Sequence, residues 1–175
     1  KQKTAYEIKE CDWSSDVCSS DLRSGVMVAF AAPGVGDPAI GPRPPAPGKT
    51  NDWGTPHADV PTLLEPRPGE AVIRKPRYGA FYGSTFEEHL RKNGKDTVLV
   101  CGLSLAGGVE TTVRDADNRD LKAVLISDAC LCRPISDQGW GPVSAAEVAK
   151  VALSIMAERF ATVTTTEAIC AALTR

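Results

Sequence analysis

Short apolar runs alternate with amphipathic segments along the chain after residue 22. A short run rich in β-branched residues predicts a buried strand, and apolar positions three or four residues apart predict a helix. The predicted strands are 26–30, 71–75, 97–101, 121–126 and 161–164. The predicted helices are one that begins after Ser84 and ends at Gly94, one over 109–119, one that begins after Ser144, and one over 167–173. This alternation predicts an α/β domain, a three-layer, Rossmann-like arrangement with helices on both faces of a parallel sheet.

The segment from Asp96 to Asp128 carries the strongest pattern. Its first strand ends at a glycine, a turn of small residues spans Gly102–Gly108, and a helix and a second strand follow. The apolar helix positions Val109, Thr112, Val113 and Ala116 share one face. Strand, helix and strand within about thirty residues form a βαβ unit, whose crossover is right-handed.

The turn Gly102–Gly108 is a candidate floor for a functional site. In an open parallel sheet, ligands bind beyond the carboxyl ends of the strands, where this turn is expected to lie. Backbone N–H groups at a helix start can hold an oxyanion or a ligand carboxylate. Alternatively, the glycines only permit a sharp turn from strand to helix. The turn matches neither G-x-G-x-x-G nor a P-loop, so a nucleotide-binding domain is a minor hypothesis.

Composition and charge narrow the function classes. The chain has 175 residues, 42% hydrophobic and 24% charged, and a net charge of −2, so we expect neither a nucleic-acid nor a membrane partner. It contains no apolar run of transmembrane length and no apolar segment typical of a signal peptide. We expect Cys101, Cys130 and Cys170 to be buried thiols of a reducing, cytoplasmic compartment.

Residues 1–22 differ from the rest of the chain. They are polar and serine-rich, lack helical or strand periodicity, and begin without methionine. The string resembles a translated sequencing adapter, so we treat it as an artefact and take residues 23–175 as the domain. A disordered native tail is the alternative.

Several separate motifs now indicate a family. The segment 102–116, GLSLAGGVETTVRDA, resembles the signature turn and helix of the isochorismatase-like hydrolases, also called the cysteine hydrolase superfamily. The segment 72–85 resembles that family's lysine strand and following loop, and 160–167 resembles its last strand. The resemblance covers roughly residues 54–173 and follows the family's order.

The resemblance implies that the first strand of the family is missing. That strand carries a catalytic aspartate in a phrase of the type D-x-Q-x-x-F, and no such phrase occurs here. In the family's strand order it is central, so we expect a gap in the sheet. We therefore expect this chain to be truncated at its N-terminus and inactive by itself.

The resemblance also implies which residues form the site. Lys75 takes the position of the catalytic lysine, where it would stabilise an anionic intermediate or a substrate carboxylate. The alternative is a solvated lysine beside Arg74 and Arg77. The residues implied to bind substrate are Tyr78, Phe81, Leu103, Ser104, Gly107, Gly108 and Val109. Phe81 has a second interpretation, in which it packs beneath its loop.

The chain lacks the thiol that most family members place at the start of the helix. A helix N-terminus lowers the pKa of a thiol, which suits a nucleophile. Gly108 occupies that position, and Cys101 lies on the preceding strand. True isochorismatases resemble this pattern and cleave a vinyl ether by acid catalysis. The resemblance also implies a cis peptide bond between Leu103 and Ser104.

The remaining loops carry weaker signals. The proline-rich segment 33–50 predicts an irregular surface loop. His57 and the pair Cys130 and Cys132 are weak metal candidates, so we expect no metal and no cofactor. Trp140 lies in a glycine-rich loop and is expected to close one side of the site or to cover the core.

Two functions of different classes follow. The first is an isochorismatase-like hydrolase that acts without a cysteine nucleophile on a small carboxylate or ether substrate. The second is a non-catalytic binding protein that keeps the fold. The sequence leaves open whether the protein forms a homo-oligomer.

Overall fold

The computed structural model of the chain describes residues 27, 29–33, 66 and 68–173. The chain divides into two compact units, one of residues 1–89 and 170–175 and the other of residues 90–169. The proline-rich segment 34–50 and His57 lie outside the described residues, as do residues 1–22.

The first unit contains a pair of parallel strands. Strand β1, Ala29–Pro33, pairs along its length with β2, Ala71–Lys75. Ala32 and Ile73 are buried, so each strand contributes to the core of this unit. A loop then leads from Lys75 to helix α1, Phe86–Lys92, which continues into the second unit.

The second unit contains a sheet of three parallel strands in the order β3-β4-β5. Strand β3 is Thr97–Leu103, β4 is Lys122–Leu131 and β5 is Thr162–Thr164. The register between β3 and β4 shifts between Val100 and Gly102. The crossovers that connect these parallel strands are helical, as sequence periodicity predicts for an α/β fold.

Three helices accompany this sheet. Helix α2 is Glu110–Asp117, α3 is Ala145–Arg159 and α4 is Thr166–Leu173, which runs into the first unit. The face of α2 that the sequence predicts is buried, with Val113 and Ala116 fully enclosed. Leu125 and Ile126 of β4 and Met156 of α3 are also almost fully buried, and these side chains form the core of the second unit.

The predicted α/β class with parallel strands is confirmed, and so are most element positions. Strand β1 extends beyond its predicted end at Phe30 to Pro33. Strand β4 was expected to end near Ser127, but it continues to Leu131. The predicted helix 109–119 begins at Glu110 and ends at Asp117, because a separate turn precedes it.

Two expectations about burial are wrong. Cys101 is exposed rather than buried, since the register shift between β3 and β4 falls at this residue. Cys130 and Cys170 are only half-buried. Trp140 does not cover the core, because 92% of its surface is exposed.

No helix among the described residues is both long enough and apolar enough to span a membrane.

Candidate active site

The glycine-rich turn has the backbone geometry that the resemblance implies. The peptide bond between Leu103 and Ser104 is cis, as expected. Residues Leu105–Val109 then form a kinked turn in which Ala106 and Gly107 have non-helical backbone angles, and Val109 N donates to Ser104 O at 3.2 Å. This turn connects the end of β3 to the start of α2.

Two threonines of α2 hold the glycine carbonyls of the turn. Thr111 Oγ1 donates to Gly107 O and Thr112 Oγ1 donates to Gly108 O, each at 2.7 Å. In a trans peptide the C=O of one residue and the N–H of the next point in opposite directions. Because the carbonyl of Gly107 points toward α2, the N–H of Gly108 points away from it.

The side chains of the turn divide into buried anchors and outward-facing residues. Leu105 is completely buried and Val109 is 5% exposed, so both attach the turn to the core. Leu103 is 43% exposed and Ala106 is exposed as well, while Ser104 is half-buried. The turn therefore presents a small, mainly apolar surface beside backbone N–H groups.

Lys75 ends strand β2 and is partly buried. Its Nζ donates to Tyr78 O at 2.9 Å and to Arg77 O at 3.4 Å, which holds the side chain against the following loop. Burial lowers the pKa of Lys75 from 10.5 to about 8. This lysine is therefore not the fully solvated surface residue of the alternative interpretation.

The loop after Lys75 combines exposed and buried aromatic rings. Tyr78 and Tyr82 are 47% and 53% exposed. Phe81 is buried and packs on Phe86, with ring centroids 4.9 Å apart. Ser84 fixes the loop, because its Oγ donates to Ala80 O and accepts from Phe86 N. This packing agrees with the interpretation in which Phe81 lies beneath the loop.

The candidate site residues form two local groups. Lys75, Tyr78 and Phe81 lie together in the first unit. Leu103, Ser104 and the residues Gly107 to Val109 lie together in the second unit.

The thiol of Cys130 and the residue at the start of α2 bear on nucleophilic chemistry. The residue at the turn before α2 is Gly108, not cysteine. Burial raises the pKa of the Cys130 thiol to about 11, so it remains protonated at neutral pH. Among the residues that the structure describes, no cluster of three or more histidine, cysteine or acidic side chains is arranged to hold a metal.

Two polar anchors were not predicted from the sequence. Asp128 Oδ1 accepts from both Thr166 N and Thr166 Oγ1 at 2.9 Å, which ties β4 to the start of α4. Asp137 Oδ1 accepts from Gly139 N and Gly141 N at 2.7 and 2.8 Å. The glycines that flank Trp140 were the signal for the second anchor, because closely spaced glycines favour tight turns.

These features define a class of α/β proteins. In this class one parallel strand ends at a glycine-rich turn and another ends at a lysine. The chain belongs to the isochorismatase family, since the isochorismatase domain matches residues 41–168, well over half of its length.

Curated relatives agree with this membership. The chain is 40% identical over 70 residues to the uncharacterised isochorismatase family protein YecD of Escherichia coli O157:H7, a match that covers 40% of this chain and 37% of that protein. It is 38% identical over 66 residues to the ureidoacrylate amidohydrolase RutB of Azorhizobium caulinodans, covering 38% of this chain and 29% of that enzyme. The chain thus spans about a third of the length of these relatives.

A solved structure supports the same conclusion about the fold. The cysteine hydrolase of Pseudomonas syringae pv. phaseolicola 1448A superposes with a TM-score of 0.80 at 25% identity. The match covers 93% of this chain and 78% of that one.

Proposed function

We propose that the protein is a hydrolase that cleaves a small carboxylate or ether substrate without a cysteine nucleophile. The observation that carries the proposal is Gly108 at the turn before α2, where most of the family has a thiol. Cys130 is no substitute, because its raised pKa leaves little thiolate at neutral pH.

A vinyl ether that bears a carboxylate is the substrate class that suits this chemistry. Protonation of the vinyl carbon gives an oxocarbenium ion, to which water adds. The resulting hemiketal loses a proton and collapses to a ketone and an alcohol, so no covalent enzyme intermediate is needed. General acid catalysis of this kind contributes typically 10²–10⁴-fold to a rate.

Within this chain, we assign substrate binding to Lys75 and to the glycine-rich turn. The ammonium of Lys75 binds the substrate carboxylate, and its pKa of about 8 keeps most of it charged at pH 7. The N–H groups of Gly107 and Gly108 donate to substrate oxygens, and Val109, whose own N–H is bonded to Ser104 O, holds the turn beside them. Tyr78, Leu103 and Ser104 contact the substrate, and Phe81 supports the loop from beneath.

The proton donor is not assigned to this chain. The aspartate phrase D-x-Q-x-x-F has no counterpart in residues 1–175, so we expect the chain alone to show no turnover. A non-catalytic binding protein is the second candidate, and it is favoured by the same absence of both the aspartate phrase and the thiol.

The test is a substrate panel that compares vinyl ethers and amides of small carboxylates. The natural protein that carries this sequence is assayed beside its Lys75→Ala variant, with Lys95→Ala as a matched control. We expect vinyl ether hydrolysis, a loss of at least about tenfold in kcat/KM for Lys75→Ala, and little change for Lys95→Ala. Binding of the carboxylates without hydrolysis would instead support the non-catalytic protein.

A further inference from the structure

The peptide unit between Gly107 and Gly108 decides where the N–H of Gly108 points. Ala106 and Gly107 have non-helical backbone angles, and α2 begins only at Glu110, so this unit lies outside the regular helix. Its two residues are the only adjacent glycines in the chain. Rotation of a peptide unit changes ψ of the residue before it and φ of the residue after it, and glycine restricts neither angle strongly. The orientation of this N–H therefore depends on hydrogen bonds.

Thr111 holds this peptide unit by its carbonyl. The hydroxyl of Thr111 donates to Gly107 O at 2.7 Å, and the backbone N–H of Glu110 donates to the same oxygen. Both donors belong to α2, so the N–H of Gly108 points away from that helix. A rotated peptide unit would lose both bonds. The hydroxyl of Thr111 thus adds a side-chain restraint at the point where the backbone is least restricted.

The position of the acceptor makes this bond more than a common helical contact. Within a helix, a threonine hydroxyl often donates to the carbonyl four residues earlier, where the helix already fixes the backbone. Here the accepting residue, Gly107, lies in the kinked turn before α2. Thr111 is also only half-buried, outside the buried face formed by Thr112, Val113 and Ala116. Packing of the core therefore does not require this hydroxyl.

Thr112 makes the same kind of bond to the next carbonyl, with a different consequence. Its Oγ1 donates to Gly108 O at 2.7 Å. The N–H of that peptide unit belongs to Val109, and it is bonded to Ser104 O within the turn. Thr112 therefore fixes an N–H that the turn itself uses. Thr111 fixes the N–H that the proposed function assigns to the substrate.

We propose that Thr111 is a positioning residue of the hydrolase site, whose hydroxyl holds the Gly107–Gly108 peptide unit so that the N–H of Gly108 faces the substrate. This role rests on the proposed function, in which that N–H donates to a substrate oxygen. Thr111 acts through the backbone and has no assigned contact with the substrate. A donor that is already oriented needs no rearrangement during the reaction, which is why fixed backbone N–H groups are effective.

The test uses the natural protein that carries this sequence, with 2-methoxyacrylate, a small vinyl ether carboxylate, as the probe. Thr111→Val removes the hydroxyl but keeps the branched shape and a similar helix propensity, whereas Thr111→Ser keeps the hydroxyl. Thr111→Val should lower kcat/KM by about tenfold, which is less than the 10²–10³-fold loss typical when an oxyanion donor is removed outright. Thr111→Ser should stay within about threefold of the parent.

Two further variants serve as comparisons, each measured per folded protein after thermal unfolding has been recorded. Ser154→Ala is the matched control, because Ser154 Oγ makes the same backward bond to Lys150 O on α3, and it should leave kcat/KM unchanged. Thr112→Val should lower kcat/KM less than Thr111→Val does. An equal or larger loss in Thr112→Val would overturn the assignment to the Gly107–Gly108 peptide unit, as would a Thr111→Val variant with the kcat/KM of the parent.

Amide NMR spectra give a readout that does not need turnover. The amide signal of Gly108 should move in Thr111→Val, because the preceding carbonyl loses a donor, and it should return toward its parent position in Thr111→Ser. If this signal moves while kcat/KM does not, Thr111 is only structural, and the inference fails while the proposed hydrolysis stands. A parent protein that neither binds nor hydrolyses the probe would instead contradict the proposed function, and the inference with it.

Discussion

Lys75 shows how its position changes the chemistry of one side chain. Two backbone carbonyls accept its protons, but burial dominates and lowers its pKa to about 8. A lysine with this pKa is charged at neutral pH and becomes neutral in mildly alkaline solution. The burial that suits Lys75 to its proposed catalytic role therefore also lowers the stability of the folded chain, because it places a charged ammonium out of water.

That cost predicts a stability change with a definite pH dependence. At pH 7 Lys75 is charged in both the folded and the unfolded chain, so burial of its ammonium destabilises the folded state. Lys75→Met removes this charge and should raise the free energy of unfolding by about 1–2 kcal/mol, after allowance for partial exposure. Between pH 8 and 10.5 the unfolded chain binds more protons than the folded chain, so the parent gains stability as pH rises. The difference in free energy of unfolding between Lys75→Met and the parent should therefore become smaller as the pH rises through this range.

Urea unfolding at pH 7 and pH 10 measures this difference. Lys150→Met is the control, because it makes the same substitution at an exposed lysine on α3. An advantage of Lys75→Met that grows with pH would contradict the role of burial.

At the scale of single elements, helix α3 shows what its start contributes. Ser144 Oγ accepts from Glu147 N, and the Glu147 carboxylate accepts from Ser144 N, which completes the capping box that the spacing predicts. Hydrogen bonding to Ser144 lowers the pKa of Glu147. Two backbone N–H groups at the start of the helix, those of Ser144 and Glu147, therefore have side-chain acceptors.

Replacement of the cap gives a simple prediction. Ser144→Ala should lower the free energy of unfolding by about 1 kcal/mol, because Glu147 N loses the Ser144 hydroxyl as its acceptor and the Glu147 carboxylate loses the same hydroxyl as a donor. Ser154→Ala on the same helix is the matched control, since Ser154 Oγ only donates back to Lys150 O and alanine is a better helix former. Chemical denaturation compares the two, and equal effects would show that capping is not the cause.

The sequence predicts elements where periodicity is strong and fails where distant contacts decide. For α3, the residues 148, 151, 152 and 155 suggest one buried face, but Val151 is exposed and Met156 is buried. Two neighbouring stripes satisfy a 3.6-residue period almost equally, so only the packing partner selects between them.

Strand β4 shows how contacts between distant residues can overturn a prediction made from local sequence. Ser127 and Asp128 look like the end of a strand, because both residue types favour turns. In the structure they are anchored far along the chain, since Ser127 Oγ donates to Thr164 O and Asp128 accepts from Thr166. These long-range bonds satisfy the polar side chains and let β4 continue to Leu131.

For the candidate site too, some features were predicted and others were missed. The cis bond before Ser104 and the position of Lys75 followed from resemblance, and no local propensity would have indicated either. The kinked path of residues 105–109 was not predicted, because it depends on the hydrogen bond from Val109 N to Ser104 O. The exposure of Trp140 was also missed, since composition alone favours burial of tryptophan.

For the whole molecule, any function must be consistent with two observations, the family of the chain and the glycine at position 108. The chain matches the isochorismatase domain over residues 41–168, and one of its relatives is named an amidohydrolase. Gly108 nevertheless occupies the turn before α2, where a thiol nucleophile would be expected. The proposed acid-catalysed cleavage, which needs no covalent intermediate, is consistent with both observations.

The most direct test of this central claim is the rate of substrate hydrolysis after thiol alkylation. The natural protein is treated with iodoacetamide, complete modification of its accessible cysteines is verified by mass spectrometry, and turnover of a vinyl ether carboxylate is measured. We expect kcat/KM after treatment to stay within about twofold of its starting value. Loss of activity that substrate protects against would contradict the proposal and would point to a thiol nucleophile.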